Sequence, residues 1–309
     1  MGWWPLPAPN DLKRLTTALA TEKQMGAEDQ PLFSIITVVF NAVSTIDATI
    51  DSVLEQKYSD YEYIVVDGGS TDGTLKILTE RQNRFAFFVS EPDSGIYDAM
   101  NKALSHVRGA YVHFLNSDDV FADSEVLHDV AALIAKQTSE PDVVSGAVDV
   151  DYGEYRVRRD AAYSEKNLRR ANMPPHQGLF LITKLMNSMG GFNTAFRSSA
   201  DFDLLCRALR TGPNVVHEAR LIAKMRSGGT SSDKRVSYSE TAAVLRSHFG
   251  PRVAQSYRVR KLIFEQGVKR ILQNLLSPSA LAAVRRRYLQ RPAPRKNGAT
   301  RANNAPRNS

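Results

Sequence analysis

An acidic tetrapeptide carries the residues of this chain best suited to bind a metal ion. Segment 116–119, Asn-Ser-Asp-Asp, directly follows an apolar run at 110–115 that has the length and composition of a buried strand. Hard divalent cations prefer carboxylate and amide oxygens, and open α/β sheets bind ligands at the carboxyl ends of their strands. Asn116, Asp118 and Asp119 therefore indicate a cation site. From these residues alone, the alternative is an acidic turn that caps the next helix.

A glycine-rich loop at 67–74, Asp-Gly-Gly-Ser-Thr-Asp-Gly-Thr, follows a second strand-like run. Its three glycines permit a sharp turn and a close approach to a ligand. The loop has neither the spacing nor the position of a dinucleotide-binding loop, and the chain contains no phosphate-binding P-loop motif. The alternative is an ordinary turn in which Ser70 or Asp72 caps a helix, but that explains Asp67 least well.

A third polar loop begins at residue 90 and contains Asp93, Asp98 and Lys102. Asp98 and Lys102 are four residues apart, so they can also form a routine surface ion pair on a helix. Asn41 ends the first strand-like run in the same way. Four polar strand ends at one sheet edge indicate a binding cleft.

The elements that must position these loops alternate along the chain. Strand-like runs lie at 33–40, 61–66, 85–89 and 110–115, and helical patterns lie at 44–56, 72–81, 96–107 and 123–136. This alternation predicts an α/β fold with a mostly parallel central sheet flanked by helices.

The second half of the chain is less regular. A hairpin is predicted at 142–150 and 155–159, helices at 201–210 and 237–249, and a strand at 215–224. Residues 160–200 indicate only short elements.

The composition is that of a globular protein with a core. The 309 residues are 42% hydrophobic, and no window approaches the ~20 apolar residues needed to cross a bilayer. The N-terminus has no signal-peptide pattern, and a single cysteine, Cys206, excludes an internal disulfide. We therefore expect a cytoplasmic protein.

Positive charge is concentrated at the C-terminal end. Residues 251–309 contain fourteen Lys and Arg against one acid, a net +13 that leaves −6 on residues 1–250. Residues 251–290 are predicted to form basic amphipathic helices that bind an anionic membrane surface, and the alternative is packing on the main domain. Nucleic acid is not expected as a partner, because the basic segment lacks interleaved aromatic residues. Residues 1–31 read as a lead-in and 291–309 as a disordered tail.

Four segments together resemble the family-2 inverting glycosyltransferases of the GT-A fold, of the type found in bacterial polysaccharide biosynthesis. The matching segments are 34–41, 66–74, 91–102 and 114–119. The resemblance implies a GT-A domain at 32–250, with a nucleotide-sugar half at 32–135 and an acceptor half at 136–250. The basic helices would form a C-terminal extension of this domain.

The resemblance also implies roles for residues of the first half. Asp67 would contact the nucleotide base, and the nucleotide-sugar pocket would be lined by Asn41, Asp93, Asp98, Lys102 and Asn116. Segment 116–118 stands where the family has its Asp-x-Asp motif, with an asparagine in place of the first aspartate. Asp118 is then the main ligand for Mg²⁺ or Mn²⁺, and Asp119 contributes or only caps. Such an ion would neutralise the charge that develops on the departing diphosphate.

The second half contains a segment at 199–208 that resembles the family's Glu-Asp-x-Asp-Leu sequence. Asp201 aligns with the catalytic base, and Ala200 replaces the glutamate. The alternative for Asp201 is a helix N-cap. His176 and Asp203 are assigned to the acceptor side. Arg226, which precedes a Gly-Gly turn, is assigned to the diphosphate.

These features predict an inverting glycosyltransferase. The expected donor is a nucleoside-diphosphate sugar, with UDP as the nucleotide, and the expected acceptor is a hydroxyl of a lipid-linked glycan in exopolysaccharide, capsule or similar envelope polysaccharide synthesis. The protein would work at the inner face of the cell membrane. The alternative is a non-catalytic module that binds a nucleotide sugar or glycan, which Asn116 and Ala200 favour. A nucleotidyltransferase is not favoured, because residues 41–44 lack the glycine-rich basic loop of those enzymes.

Overall fold

A computed structural model of the protein describes residues 30–160, 162–226 and 234–255, with the side chains of Lys234 and Arg235 left out. The N-terminal lead-in before residue 30, the Gly-Gly turn after Arg226 and the chain beyond residue 255 lie outside this description. The basic amphipathic helices, apart from their first residues, and the tail therefore stay predictions. Among the described residues, no helix combines the length and the apolar character needed to span a bilayer.

The first half is a parallel sheet with helical crossovers, as the alternation of patterns predicts. Its strands lie in the order β3-β2-β1-β4 and all pair in parallel. They are β1 (Phe33–Val39), β2 (Tyr61–Asp67), β3 (Phe87–Ser90) and β4 (Tyr111–Phe114). The connecting helices are α1 (Ile46–Leu54), α2 (Thr74–Arg81), which runs into a 3₁₀ turn, Gln82–Arg84, and α3 (Ile96–Leu104). The α/β class is confirmed.

Burial explains why these runs form strands. Every residue of β1 and β4 is buried, and so are all residues of β2 except Tyr61. Runs that are apolar on both faces suit a sheet covered on both sides. The helices each bury one face, as Ile46, Ile50 and Val53 do in α1.

The rest of the chain extends the same sheet in the order β4-β8-β6-β9-β5, with β7 paired to β6. Its strands are β5 (Val120–Phe121), β6 (Val143–Asp151), β7 (Arg156–Asp160), β8 (Leu179–Ile182) and β9 (Val215–Arg226). Its helices are α4 (Val126–Ala135), α5 (Glu165–Leu168), a 3₁₀ turn, His176–Gly178, α6 (Thr183–Ser188), α7 (Ala200–Leu209), α8 (Lys234–Phe249) and α9 (Pro251–Ala254). Strand β8 is antiparallel to β4 and β6, whereas β6 and β9 are parallel.

Most of the second-half predictions are confirmed, and two strands are additional. The predicted hairpin forms between β6 and β7, where Asp151 pairs with Arg156. Strands β5 and β8 were not expected. β5 has only two residues, and the four apolar residues of β8 are too few for periodicity to separate a strand from a buried helix.

His113 joins the two halves within the core. It lies in β4, is completely buried, and stacks between Phe121 of β5 and Phe180 of β8 at ring-centroid distances of 5.1 and 4.3 Å. Its Nδ1 donates a hydrogen bond to the carbonyl of Leu179 at 3.0 Å. Burial lowers the pKa of His113 to about 3, so the ring is neutral at physiological pH. This packing fixes β4 immediately before the turn at 116–119.

Candidate active site

The parallel strands bring the polar loops to one edge of the sheet. Val39, Asp67 and Ser90 are register partners across β1, β2 and β3, so these three strands end at the same level. The loops that follow them lie side by side, and the turn after β4 lies next to β1.

Asp67 is a fully buried hydrogen-bond acceptor at this edge. Its Oδ1 accepts from the Ser70 hydroxyl at 2.5 Å. Its Oδ2 accepts from the Ser70 amide at 3.0 Å and from the Ser90 hydroxyl at 2.6 Å. The carboxylate thus ties the glycine-rich loop to the end of β3. The base contact suggested for Asp67 stays a prediction.

Asn41 holds the glycine-rich loop from the other side. Its side-chain oxygen accepts a hydrogen bond from the backbone amide of Thr71 at 2.9 Å, and the backbone amide of Asn41 donates to the Ser70 hydroxyl at 2.8 Å. Asn41 has a φ of 49°, a left-handed conformation that asparagine tolerates better than most residues. Its contacts position the loop, and direct binding of the donor stays a prediction.

Phe40, which the sequence patterns did not single out, is an exposed aromatic residue at the same edge. It is 62% exposed, although every residue of β1, which ends at the preceding Val39, is buried. A Cβ atom placed on Gly68 would lie 3.4 Å from the Phe40 ring and would collide with the carboxylate of Asp93. The absent side chain at position 68 therefore lets Asp93 reach the glycine-rich loop. The available signal for Phe40 was an aromatic residue ending a buried strand.

The loop before α3 is fastened to the first turns of that helix. Asp93 accepts from the amide of Gly95 at 2.8 Å, and Asp98 accepts from the amide of Ser94 at 2.9 Å. Lys102 donates to the carbonyl of Pro92 at 2.9 Å. Asp98 and Lys102 thus shape this loop, and their Nζ–Oδ2 distance of 3.9 Å makes the expected surface ion pair a loose one.

Asp119 is the buried carboxylate of the turn after β4. It is 1% exposed, and its Oδ2 accepts from the amide group of Gln177 at 2.7 Å while its Oδ1 accepts from the backbone amide of Arg226 at 3.3 Å. Burial, and then the neighbouring charge of Asp118, raise the pKa of Asp119 to about 7. Both oxygens are engaged by protein donors, so Asp119 connects the turn to the 3₁₀ turn at His176–Gly178 and to β9.

Asp118 is the more available carboxylate. Within the described part of the chain, no other residue donates a hydrogen bond to its side chain, and burial raises its pKa. The positive charge of Arg226 opposes that rise. Two residues earlier in the same turn, Oδ1 of Asn116 is buried and has no hydrogen-bond partner among the described residues. A buried acceptor without a donor and a carboxylate two residues further along the same turn are the kinds of oxygen that a hard cation prefers.

These oxygens provide only part of a coordination shell. Among the described residues, no group of three His, Cys, Asp or Glu side chains lies close enough together to hold a metal ion. The residues fit a cation such as Mg²⁺, which takes one or two carboxylates from a protein and completes its shell with phosphate oxygens and water. Asp118, with Asn116 beside it, would hold such an ion.

A short chain of side chains leads from this turn to α7. The side-chain nitrogen of Asn116 lies 3.2 Å from Nε2 of His176, and Nδ1 of His176 lies 3.6 Å from Oδ2 of Asp201. With the amide nitrogen of Asn116 as the donor, Nε2 of His176 accepts, and the neutral tautomer that makes this bond has its proton on Nδ1, on the side of Asp201. His176 therefore links the predicted metal turn to the predicted base.

Asp201 is positioned by the first turn of α7. Its Oδ1 accepts from the hydroxyl of Tyr97 at 3.0 Å and from the amide of Phe202 at 2.8 Å. The N-cap position belongs to Ser199, so Asp201 is not the N-cap of this helix. Tyr97 and Gln177 were not identified from the sequence. Their adjacency to Asp98 and to His176 was the only signal.

Asp203 is not joined to this group by its contacts. It is 6% exposed, and its two oxygens are occupied by Arg207 at 2.8 Å and by His248 at 2.9 Å. These bonds fasten α7 to α8. The contacts give Asp203 a structural role, and its acceptor-side role stays a prediction.

A family comparison matches more than half of the chain. The model of the family described as "Glycosyl transferase family 2" matches residues 34–204. An uncharacterized glycosyltransferase of Mycobacterium tuberculosis is 33% identical over 180 residues, which cover 58% of this chain and 69% of the relative. The PGL/p-HBAD biosynthesis glycosyltransferase of Mycobacterium bovis is 35% identical over 185 residues, which cover 57% and 69%.

Solved structures share the fold. TarS 1–349 of S. aureus in complex with UDP-GlcNAc superposes with a TM-score of 0.57 at 22% identity, covering 70% of this chain and 66% of that one. The mannosyltransferase PcManGT of Pyrobaculum calidifontis, in complex with GDP-Man and Mn²⁺, gives a TM-score of 0.53 at 20% identity, covering 84% and 80%. At these identities, the likeness establishes the GT-A architecture.

Proposed function

The chain belongs to glycosyl transferase family 2, and we propose that it is an inverting glycosyltransferase that moves a sugar from a nucleoside-diphosphate donor, UDP-linked, to a hydroxyl of a glycan acceptor. The observation that carries the proposal is the position of His176, whose Nε2 lies 3.2 Å from the side-chain nitrogen of Asn116 and whose Nδ1 lies 3.6 Å from Oδ2 of Asp201. This residue lies between the turn that would hold the diphosphate and the carboxylate that would take the acceptor proton. Single displacement at an anomeric carbon needs both functions in one cleft.

The donor half of the cleft would bind the nucleotide. The exposed ring of Phe40 can stack on a base, because every base offers a π-face to an aromatic side chain. Gly68 and Asp93 lie beside this ring. Asp67, Asn41 and the loop before α3 would complete the pocket.

Asp118 and Asn116 would hold Mg²⁺ or Mn²⁺ against the diphosphate. The bound ion supplies a Lewis acid that neutralises the charge developing on the leaving group. Arg226 ends β9 next to this turn and adds positive charge on the same side. These protein groups would orient the donor. Because they are in position before the reaction begins, they need not rearrange in the transition state.

Asp201 would act as the general base. As the acceptor oxygen bonds to the anomeric carbon, the bond from that carbon to the diphosphate breaks and the acceptor proton passes to the Asp201 carboxylate. The nucleoside diphosphate leaves with the bonding electron pair. Attack from the face opposite the leaving group inverts the anomeric centre.

The acceptor would be a lipid-linked saccharide at the inner face of the membrane, in the synthesis of an envelope polysaccharide or glycolipid. Two features support this assignment. The M. bovis relative carries a glycolipid-biosynthesis name, and residues 251–309 of this chain carry a net charge of +13.

Titration calorimetry with UDP in the presence and absence of Mn²⁺ tests the donor site. We expect Mn²⁺-dependent binding that Asp118→Ala abolishes. Asp60→Ala is a matched control, since Asp60 immediately precedes β2, at the amino end of the strand, and is exposed. Failure of UDP to bind, or binding that Asp118→Ala leaves unchanged, would contradict the proposed site.

Turnover separates an enzyme from a binding module. We expect Asp201→Asn to retain affinity for UDP and Mn²⁺ and to lose at least ~100-fold in the rate of UDP release from a UDP-sugar, which is the scale of a lost general base. If the unaltered protein binds the donor and does not turn it over, the chain is a non-catalytic nucleotide-sugar module.

A further inference from the structure

Tyr97 contacts the proposed base from the opposite half of the fold. It lies in the first turn of α3, is 7% exposed, and donates its hydroxyl hydrogen to Oδ1 of Asp201, 104 residues away, at 3.0 Å. The amide of Phe202 donates to the same oxygen at 2.8 Å. Oδ1 is therefore held by two donors.

The second oxygen of Asp201 is held more loosely. Oδ2 lies 3.6 Å from Nδ1 of His176, which is beyond hydrogen-bond distance. The side chain of Asp201 keeps 14% of its surface exposed. Oδ2 is thus the oxygen available to a substrate hydroxyl, while Oδ1 serves to orient the carboxylate.

Hydrogen bonds and a ring stack through segment 191–192 fix Tyr97 relative to α7. Asn101, one turn further along α3, makes two hydrogen bonds of 2.8 Å with the backbone of Phe192. The ring of Phe192 stacks on Tyr97 with a centroid distance of 5.4 Å. Arg207 of α7 donates to the carbonyl of Gly191 at 2.8 Å. Helix α3, the segment at 191–192 and α7 are therefore bonded to one another.

The contact between α3 and segment 191–192 depends on the glycine at position 191. Its φ is 74°, in the left-handed region that favours glycine, and a Cβ atom there would lie 2.5 Å from Oδ1 of Asn101. A side chain at position 191 would push Asn101 away from Phe192. The glycine thus lets α3 approach the backbone of segment 191–192.

The first turn of α3 also contacts the loop on the donor side of the cleft. Asp98, the residue after Tyr97, accepts a hydrogen bond from Ser94 in that loop. The first turn of α3 thus contacts the base through Tyr97 and the donor loop through the next residue, Asp98. Its position sets the distance between the two.

We propose that Tyr97 is a positioning residue for Asp201, which orients the carboxylate so that Oδ2 faces the acceptor hydroxyl above the donor sugar. The proposal rests on the proposed function of Asp201 as general base. Tyr97 itself neither accepts the proton nor contacts the reacting atoms. Its hydroxyl stays protonated throughout, because burial raises the pKa of Tyr97.

The test is Tyr97→Phe in the full-length protein, with turnover measured as UDP release from UDP-glucose or UDP-N-acetylglucosamine, whichever raises the melting temperature more. A hydrogen bond to a charged group is worth ~1.5–3 kcal/mol, so we expect kcat to fall roughly 10- to 100-fold. We expect the donor KM and the affinity for UDP and Mn²⁺ to stay within about twofold, because the donor loop is not altered.

A pH profile distinguishes positioning from simple packing. Loss of a donor to an ionised carboxylate disfavours its charged form, so the acid limb of the pH–rate profile should move to higher pH in Tyr97→Phe. The pH at which the limb falls does not depend on how much folded enzyme is present. It therefore remains informative if the variant folds poorly.

Tyr163→Phe is the matched control. Tyr163 is buried and donates to the backbone carbonyl of Leu205 in α7 at 2.7 Å, so the variant loses a hydrogen bond to the same helix and leaves Asp201 untouched. We expect an unshifted pH profile and an unchanged kcat. An equal loss of kcat in both variants would overturn the proposal.

Other outcomes separate this inference from the proposed function. Unchanged kcat and pH profile in Tyr97→Phe, together with loss of turnover in Asp201→Asn, would overturn the role of Tyr97 alone. Full turnover in Asp201→Asn would overturn the proposed base, and the role of Tyr97 with it.

Discussion

The side-chain nitrogen of Asn116 lies 3.2 Å from Nε2 of His176, and the side-chain oxygen of Asn116 is buried with no partner in the part of the chain that the structure describes. One amide therefore serves two purposes. Its nitrogen fixes the histidine, and its oxygen is free for a cation. An aspartate, which the resemblance places here, could supply the oxygen and could not donate to a neutral Nε2.

Asn116→Asp is predicted to tighten Mn²⁺ binding in the presence of UDP. A second carboxylate beside Asp118 increases the negative charge offered to the ion. We expect a gain on the order of 10-fold in apparent Mn²⁺ affinity, equivalent to ~1.4 kcal/mol, measured by calorimetry at constant UDP. Asn83→Asp makes the same change on an exposed residue and should have no effect. Equal or weaker Mn²⁺ binding in Asn116→Asp would count against a metal at this turn.

Gly68→Ala is predicted to raise the donor KM about 3- to 10-fold with little change in melting temperature. The added Cβ would meet the carboxylate of Asp93, a movable side chain, so the cost falls on the pocket and not on the backbone. A double-mutant cycle with Asp93→Ala provides the control. In that background Gly68→Ala should have a much smaller effect, and additive effects would show that Asp93 is not the group displaced.

The sequence was sufficient to place the residues that end buried strands. Asp67, Asp118 and the loop before α3 follow apolar runs, and parallel pairing necessarily brings the ends of such strands together. The fold class followed from the same alternation. The positions of strand ends and the fold class depend on local sequence patterns, so a single sequence is enough to predict them.

Contacts across the fold could not be read in this way. Tyr97 and Asp201 are 104 residues apart, and nothing in either segment specifies the other. Asp203 shows the opposite case. Two residues along a helix correspond to a rotation of about 200°, so Asp201 and Asp203 point to different sides of α7. Helical geometry alone could have separated them.

His113 makes a specific contribution to acid stability. Its pKa is lowered from 6.5 to about 3 by burial, so the unfolded chain binds a proton between these values while the folded protein does not. The stability from this residue is therefore complete above pH 6.5 and is lost as the pH falls. Asp119, whose pKa is raised to about 7, contributes with the opposite sign between about 4 and 7.

His113→Phe is predicted to flatten the pH dependence of the free energy of unfolding below pH 6.5. One proton corresponds to a slope of ~1.4 kcal/mol per pH unit, and the variant should lose a slope of that order relative to the unaltered protein. Urea unfolding from pH 8 to pH 4 measures it, with pH 8 as the baseline for any general loss of stability. Parallel curves for the two proteins would show that His113 is not buried as a neutral ring.

Membrane attachment is predicted to depend on the basic C-terminal segment. Each Lys or Arg near an anionic surface contributes ~1 kcal/mol, so replacing the cluster Arg285, Arg286 and Arg287 by Gln should weaken binding to phosphatidylserine vesicles by roughly 100-fold. Binding of the unaltered protein should fall steeply with salt. Strand β7 has three arginines within four residues, Arg156, Arg158 and Arg159, of which Arg156 and Arg158 are engaged by protein acceptors, and their replacement by Gln is the matched control. A similar loss in both triple variants would point to net charge alone, whereas an unchanged affinity for the 285–287 variant would assign these arginines to packing on the protein.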